Sequence, residues 1–361
     1  MGSSLFFGLS EMAYILAMVV YITHIAFRKK AVGVTATGLA VFGFASQTLA
    51  ILLRWREFYQ LSGMGLLRSI PLTNLYESII FFVWCLMFGY LLMEFRYKNR
   101  SFGAFVTPVA ALALLFINLS GMSTQIEPLV PALQSNWLLA HVTLSFISYS
   151  AFALSFSTGL MYLIMTTEDR KEGAYIFWTV MLGIFAAVLI AMGLDFVRFR
   201  MTGMKPDAFL KSFLFKSTYK NDSSAVQVIS YLATAAFVFV IWRYGYTLKK
   251  IIEGFNLKAE TLDEITYKSV AVGFPIFTLG GLIFGAIWAN QAWGVYWSWD
   301  PKETWSLITW FIYAFYLHAR FLRGWRGRKI AMVAVMGFVA VIFTYLGVNL
   351  LLSGLHSYGS R

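Results

Sequence analysis

One cysteine, four histidines and seven prolines are all that 361 residues supply, and only 13% of the side chains carry charge. Soluble domains average about 25% charged residues, so a cytosolic enzyme is excluded. A lone cysteine leaves no thiol pair within the chain, which removes a disulfide-stapled secreted domain and any thiol–disulfide exchange by this polypeptide. Acids are scarce as well, 17 against 29 Lys and Arg, for a net charge of +12. That excess is not read as a nucleic-acid footprint, because membrane proteins concentrate Lys and Arg on one side. What is plentiful is apolar surface: 59% of residues are hydrophobic and 18% aromatic, which excludes a disordered chain. At roughly 20 apolar residues per crossing, the chain could supply about ten crossings.

Ten apolar stretches separate at charged or turn-rich breaks: Leu5–Phe27, Val32–Leu53, Leu72–Met93, Phe102–Leu119, Leu138–Met165, Ala174–Leu194, Ala225–Ile241, Val270–Trp288, Trp305–Leu322 and Ile330–Leu352. The fold class is therefore all-α and polytopic, one integral-membrane domain of about ten transmembrane helices, with the seventh stretch the shortest. Every Lys and Arg falls at or beyond a span end, as hydrocarbon requires of fixed charge. An N-out, C-out topology puts 18 of the 29 basic residues on the cytoplasmic side, and six of the other 11 lie in one loop between Asp195 and Val226. Nothing positive precedes the first stretch while Arg28-Lys29-Lys30 follows it, so that stretch reads as a retained anchor rather than a cleaved leader. Membrane lipid is the surrounding partner, and no nucleic acid is expected.

Six of the twelve tryptophans lie between Trp288 and Trp310, around the connection of the eighth and ninth stretches, on the outer side. An interfacial belt spreads Trp over many span ends; it does not call for Trp293, Tyr296, Trp297 and Trp299 within seven residues, with Trp305 close behind. Clustered large π-faces suit a flat, apolar, polarisable ligand, of which a porphyrin is the obvious biological example. Asp300, Pro301 and Glu303 read first as a helix start, with N-cap carboxylate, proline at the first helical position and capping-box acid. Orienting a ligand or partner is their second reading. Lys302, the one fixed positive charge here, could meet a propionate or simply face solvent.

The four histidines sort into two layers. His141 and His356 sit at the outer ends of the fifth and tenth stretches, level with the tryptophans, while His318 and His24 lie towards the cytoplasmic side. Paired axial imidazoles hold haem iron, so His141 with His356 forms a candidate outer pair and His318 with His24 an inner one. The bland alternative for each is a hydrogen-bonded interface residue. Cys85, midway along the apolar third stretch, reads as buried and inert. The chain has no Cys-x-x-Cys-His through which it could itself hold haem covalently.

W-A-N-Q-A-W-G-V-Y-W-S-W-D-P-K-E-T-W-S-L-I-T-W, followed by Tyr316-Leu317-His318-Ala319-Arg320 and Gly354-Leu355-His356-Ser357-Tyr358, resembles the System II cytochrome c biogenesis proteins of the CcsA/ResC type. So do Pro71-Leu72-Thr73-Asn74-Leu75-Tyr76-Glu77-Ser78 and Trp137-Leu138-Leu139-Ala140-His141-Val142. The resemblance runs in order over most of the chain and is strongest at Asp263–Arg320. It implies a membrane component of a haem lyase that carries transiently bound haem b from the cytoplasmic side to the outer face, for thioether attachment to Cys-x-x-Cys-His apocytochromes c. It also implies that His141 and His356 ligate iron outside and that His318 receives haem within the membrane. The second intramembrane ligand resides in a CcsB/ResB-type partner subunit, which leaves His24 resting on its depth alone. A thiol-reducing pathway takes part indirectly. Relative to that family, residues 170–258 read as a two-helix insertion with a basic outer loop between core helices 5–169 and 259–352; its presence favours a bacterial cytoplasmic membrane over a thylakoid one. Two other readings stay open: a two-haem transmembrane electron carrier, and a haem exporter without ligation activity.

Overall fold

A computed structural model describes residues 2–63, 65–120, 124, 134–202, 224–254 and 257–348. Among them the chain forms ten long helices and no strand: α1 Ser3–Phe27, α2 Lys30–Ser62, α3 Leu75–Tyr97, α4 Gly103–Ser120, α5 Asn136–Thr166, α6 Gly173–Thr202, α7 Ser224–Glu253, α8 Ala259–Trp293, α9 Pro301–Leu322 and α10 Arg328–Ile342. Among the described residues, eight are long and apolar enough to cross a membrane. This is a helical integral membrane protein.

The burial pattern of α1 is the reverse of a water-soluble helix. Leu5, Leu9, Met12, Leu16, Val19 and Ile22 face outward at steps of three and four, while Ser10, Glu11, Tyr14 and Tyr21 face the bundle. In water such an outward stripe would be a patch for aggregation; in lipid it is the side turned to the surroundings. Inside, polar groups are satisfied by one another. Tyr14 donates to Gln47 Oε1 at 2.9 Å, and the Gln47 amide donates to the Ile80 carbonyl at 2.9 Å.

Close approach of α1 and α2 rests on small residues. Gly33, Ala36, Ala40, Gly43 and Ala50 line the buried face of α2, the small-residue stripe that lets membrane helices pack closely. A Cβ on Gly43 would lie 2.7 Å from the Tyr14 ring. Gly43→Leu is therefore expected to cost about 1–3 kcal/mol from overpacking, read as a lowered unfolding midpoint in detergent. Gly38→Leu, with open space around it, is expected to be nearly silent.

The core that positions the functional end is α5, packed against α3, α8 and α10. Two irregularities lie along these helices, π turns at Thr278–Phe284 in α8 and at Phe343–Gly347 after α10. In α8 the π turn follows Pro275, which has no N–H to give the helical ladder. Helix α7 also departs from expectation. Its apolar stretch stops at Ile241, yet the helix runs on to Glu253. Its C-terminal turns hold through polar ties: Tyr246 donates to the Glu168 carbonyl at 2.6 Å and Lys249 to the Thr167 carbonyl at 2.7 Å. Cations near a helix C-terminus also suit its dipole.

Candidate functional site

The tryptophan-rich segment is mostly helix. Trp288 and Trp293 ride on the end of α8, Trp305 and Trp310 on α9, and only Gly294–Asp300 connects them. Gly294 ends α8 at φ 78°, a left-handed position that glycine adopts without penalty. Asp300 starts α9: its carboxylate accepts from the Lys302 N–H at 3.0 Å, and the capping box with Glu303 is complete, with Pro301 at the first helical position. The residues that read as a helix start do build one.

Between these helix ends the backbone is forced. Trp299 has φ 60°, a left-handed conformation that is an outlier for a bulky side chain. Glu303 holds it there, its Oε2 accepting from the Ser298 N–H at 2.7 Å, the Ser298 hydroxyl at 3.1 Å and the Asp300 N–H at 3.3 Å. The result is Trp299 69% exposed, with Tyr296, three residues earlier, 60% exposed. Trp297 meets Trp299 edge to face at 5.8 Å. Trp305 packs instead on Phe343 of the second π turn, at 4.2 Å. Lys302 Nζ lies 5.7 Å over the Tyr345 ring, and the Tyr345 hydroxyl is 2.7 Å from Ser78 Oγ at the start of α3.

His141 lies one turn into α5. Its Nδ1 is 2.7 Å from the carbonyl oxygen of Gly280, in the π turn of α8. A carbonyl only accepts, so Nδ1 carries the hydrogen, and Nε2 of the neutral ring bears the lone pair. The ring lies nearly parallel to Trp288, at 12° and 6.4 Å, and Trp288 meets Trp293 edge on at 4.9 Å. Trp137 packs against Phe284, and Ser135 donates to Gln291 Oε1 at 2.8 Å, so α5 and α8 are also tied together just before the histidine.

The structure thus brings together His141, Trp288 and Trp293 as one group, and Trp297 with Trp299 as another. His24 and His318 sit on helices with different main packing partners. His24 donates to the Lys29 carbonyl at 3.1 Å and rests on Gly33, on a helix packed mainly against α2 and α4. His318 is exposed on the outward face of α9, which packs against α8 and α10. His356 lies outside the described residues. Among the described residues no group of three or more His, Cys, Asp or Glu could hold a bare metal ion. Cys85 is a free, buried thiol.

Two elements of this end are absent from the expectations above. One is Trp288, which helical spacing would have placed over His141 only with knowledge of how α5 and α8 meet. The other is the ion pair of Arg54 with Glu77, 2.6 Å apart and almost fully buried where α2 meets α3.

Residues 72–356 match the family described as cytochrome C assembly protein. The cytochrome c biogenesis protein CcsA of Gloeobacter violaceus is 38% identical over 325 residues, covering 90% of this chain and 86% of that protein. That of Microcystis aeruginosa is 38% identical over 356 residues, covering 97% and 95%. That of Marchantia polymorpha is 36% identical over 314 residues, covering 86% and 83%.

Proposed function

Since this chain belongs to the cytochrome c assembly protein family, as a member of its CcsA type, we propose that it is the membrane subunit of a System II cytochrome c synthase. The observation that carries this reading is His141 held beside Trp288 and Trp293 at the head of the tryptophan-rich segment. The residues present suit haem as the substrate. An imidazole with its Nδ1–H fixed on a carbonyl offers Nε2 to iron, and broad indole faces suit a porphyrin plane.

In this reading His141 and His356 hold haem b at the outer face, the tryptophans fix its plane, and Lys302, whose Nζ lies over the Tyr345 ring, is the cation assigned to a propionate. The chemistry is addition of each apocytochrome Cys-x-x-Cys-His thiol across a haem vinyl group, S–H to C=C with nothing leaving. The chain contributes proximity and orientation, and needs no nucleophile of its own. His318 faces sideways from α9 between exposed Phe315 and Leu322. An ionisable group turned to lipid is costly, which favours cover by a CcsB/ResB-type partner subunit that supplies the second intramembrane ligand.

The test is co-expression with that partner and a Cys-x-x-Cys-His apocytochrome, followed by assay of covalent haem on the apocytochrome. Covalent product is expected, and His141→Ala is expected to abolish both product and the outer-site haem spectrum. Bound, redox-active haem with no covalent product would instead favour the electron-carrier reading. The proposed membrane is a bacterial cytoplasmic one with the tryptophan-rich end outside. Cys85 being buried, single-cysteine labelling can check this. Tyr296→Cys is expected to react with a membrane-impermeant maleimide in intact cells, and Arg326→Cys only after permeabilisation.

A further inference from the structure

We propose that the π turn of α8 is a positioning element for His141: the Gly280 carbonyl fixes the ring's tautomer, and Gly285 is the flat seat that fixes its plane. The inference deepens the haem reading above and rests on it for its functional meaning, but its geometry stands on this chain alone.

Three observations converge. First, Nδ1 of His141 lies 2.7 Å from the carbonyl oxygen of Gly280, inside the seven-residue π turn Thr278–Phe284. A π turn dislocates the regular ladder and re-aims its carbonyls, and such turns recur at functional sites. Second, a Cβ on Gly285 would stand 2.9 Å from His141 Nδ1 and 3.0 Å from Cε1. Any other residue there would push the ring away from its acceptor. On the same helix Trp288 covers the ring at 12° to its plane. Third, the two backbones are in unusually close approach. A Cβ on Gly280 would fall 2.3 Å from Leu144 Cβ and 3.1 Å from the Ser145 nitrogen, so only glycine lets its carbonyl reach α5. The turn is tied at its start as well, since the Trp310 indole N–H donates to Thr278 Oγ1 at 2.9 Å, joining it to α9.

The consequence is chemical. A histidine on a surface samples both tautomers; here the carbonyl selects the one with the lone pair on Nε2. That nitrogen is the donor an axial ligand needs, and a backbone acceptor on the other nitrogen raises its basicity. Gly280 and Gly285 are thus positioning residues. They act on iron through His141 and touch no substrate themselves.

The test uses the full-length chain purified in detergent, without haem, carrying 15N-labelled histidine. Wild type is expected to show the His141 resonance, assigned by its loss in His141→Gln, as the Nδ1–H tautomer at neutral pH. Gly285→Ala is expected to shift it to a tautomer mixture, although alanine is the better helix former. Deleting Gly281, which removes the extra residue of the π turn and restores an α-helix, is expected to do the same. Gly193→Ala, with open space around its Cβ, is expected to leave the resonance unchanged. Titration with haem b should then show the Gly285→Ala and Gly281-deletion chains binding about 10–100-fold more weakly, with an altered axial-ligand spectrum. A wild-type ring in the Nε2–H form, or a tautomer untouched in both variants, would overturn the proposal. If instead the tautomer shifts as expected but His141→Gln keeps full haem affinity, the positioning geometry stands and the ligand reading fails.

Discussion

Glu77→Ala is expected to destabilise the protein by about 3–5 kcal/mol, because it strands a guanidinium in a nearly dry site. Arg54 and Glu77 meet at 2.6 Å with side chains 6% and 1% exposed. Both partners are fully engaged. The Glu77 carboxylate also accepts from the Thr73 N–H at 2.8 Å and the Thr73 hydroxyl at 2.7 Å, while its own N–H is capped by Asn74 at 2.8 Å. Arg54 donates a second bond to the Thr124 carbonyl at 2.9 Å and lies 5.3 Å over the Tyr76 ring. The pair therefore ties α2, the start of α3 and the segment after α4 into one joint, one residue from the Ser78–Tyr345 contact below Lys302. Removing both charges together is a different change: Arg54→Met with Glu77→Leu leaves no buried ion and is expected to recover most of the loss. Unfolding midpoints of the two single variants and the double variant in detergent form the cycle that checks this. Losses that simply add would show that the two groups act separately, and the joint would then not be an ion pair in energetic terms.

The joint also shows what could be read in advance and what could not. Apolar run length located all ten helices, because hydrocarbon tolerates no fixed charge within a span and every Lys and Arg sits at or beyond a run's end. Run length set the end of α7 too early, because its last turns are held by Lys249, Tyr246 and neighbouring carbonyls rather than by lipid. The Asp300-Pro301-Glu303 start of α9 was legible because capping is local, set by residues within one turn. His141 stood out by scarcity, one of four histidines and adjacent in level to the tryptophans. Its seat did not stand out, since Gly280, Gly285 and Trp288 matter only through how closely α5 approaches α8. The inner pair shows the limit from the other side. Depth along a helix put His24 and His318 in one layer, but depth says nothing of which helices are neighbours, and theirs pack against different partners.

Trp299→Gly is expected to make the protein more stable and less functional at once. Holding a bulky residue at φ 60° costs of the order of 1–3 kcal/mol, whereas glycine adopts that region freely. The substitution should therefore raise the unfolding midpoint by the equivalent of about 1 kcal/mol or more, while removing the most exposed indole of the segment. If that indole is part of the platform, haem retention at the outer site falls about tenfold, the loss of roughly 1.4 kcal/mol expected of one aromatic contact. Trp299→Ala separates the two effects, since alanine loses the same ring but keeps most of the strain. Its haem retention should match Trp299→Gly and its midpoint should not rise. Glu303→Ala probes the clamp from the opposite direction. It removes the acceptor shared by the Ser298 and Asp300 N–H groups and frees the connection to relax. Hydrogen exchange across residues 298–302 is then expected to speed up about tenfold or more, with the indole intact but no longer aimed. A Trp299→Gly protein that is destabilised would mean the left-handed turn is set by packing of the ring itself. A fully retained haem spectrum in both Trp299 variants would move the platform to Trp288, Trp293 and Trp297. On the proposed haem reading, strain kept at a solvent-facing aromatic, against an alternative that costs less, is what a surface that meets a ligand would carry.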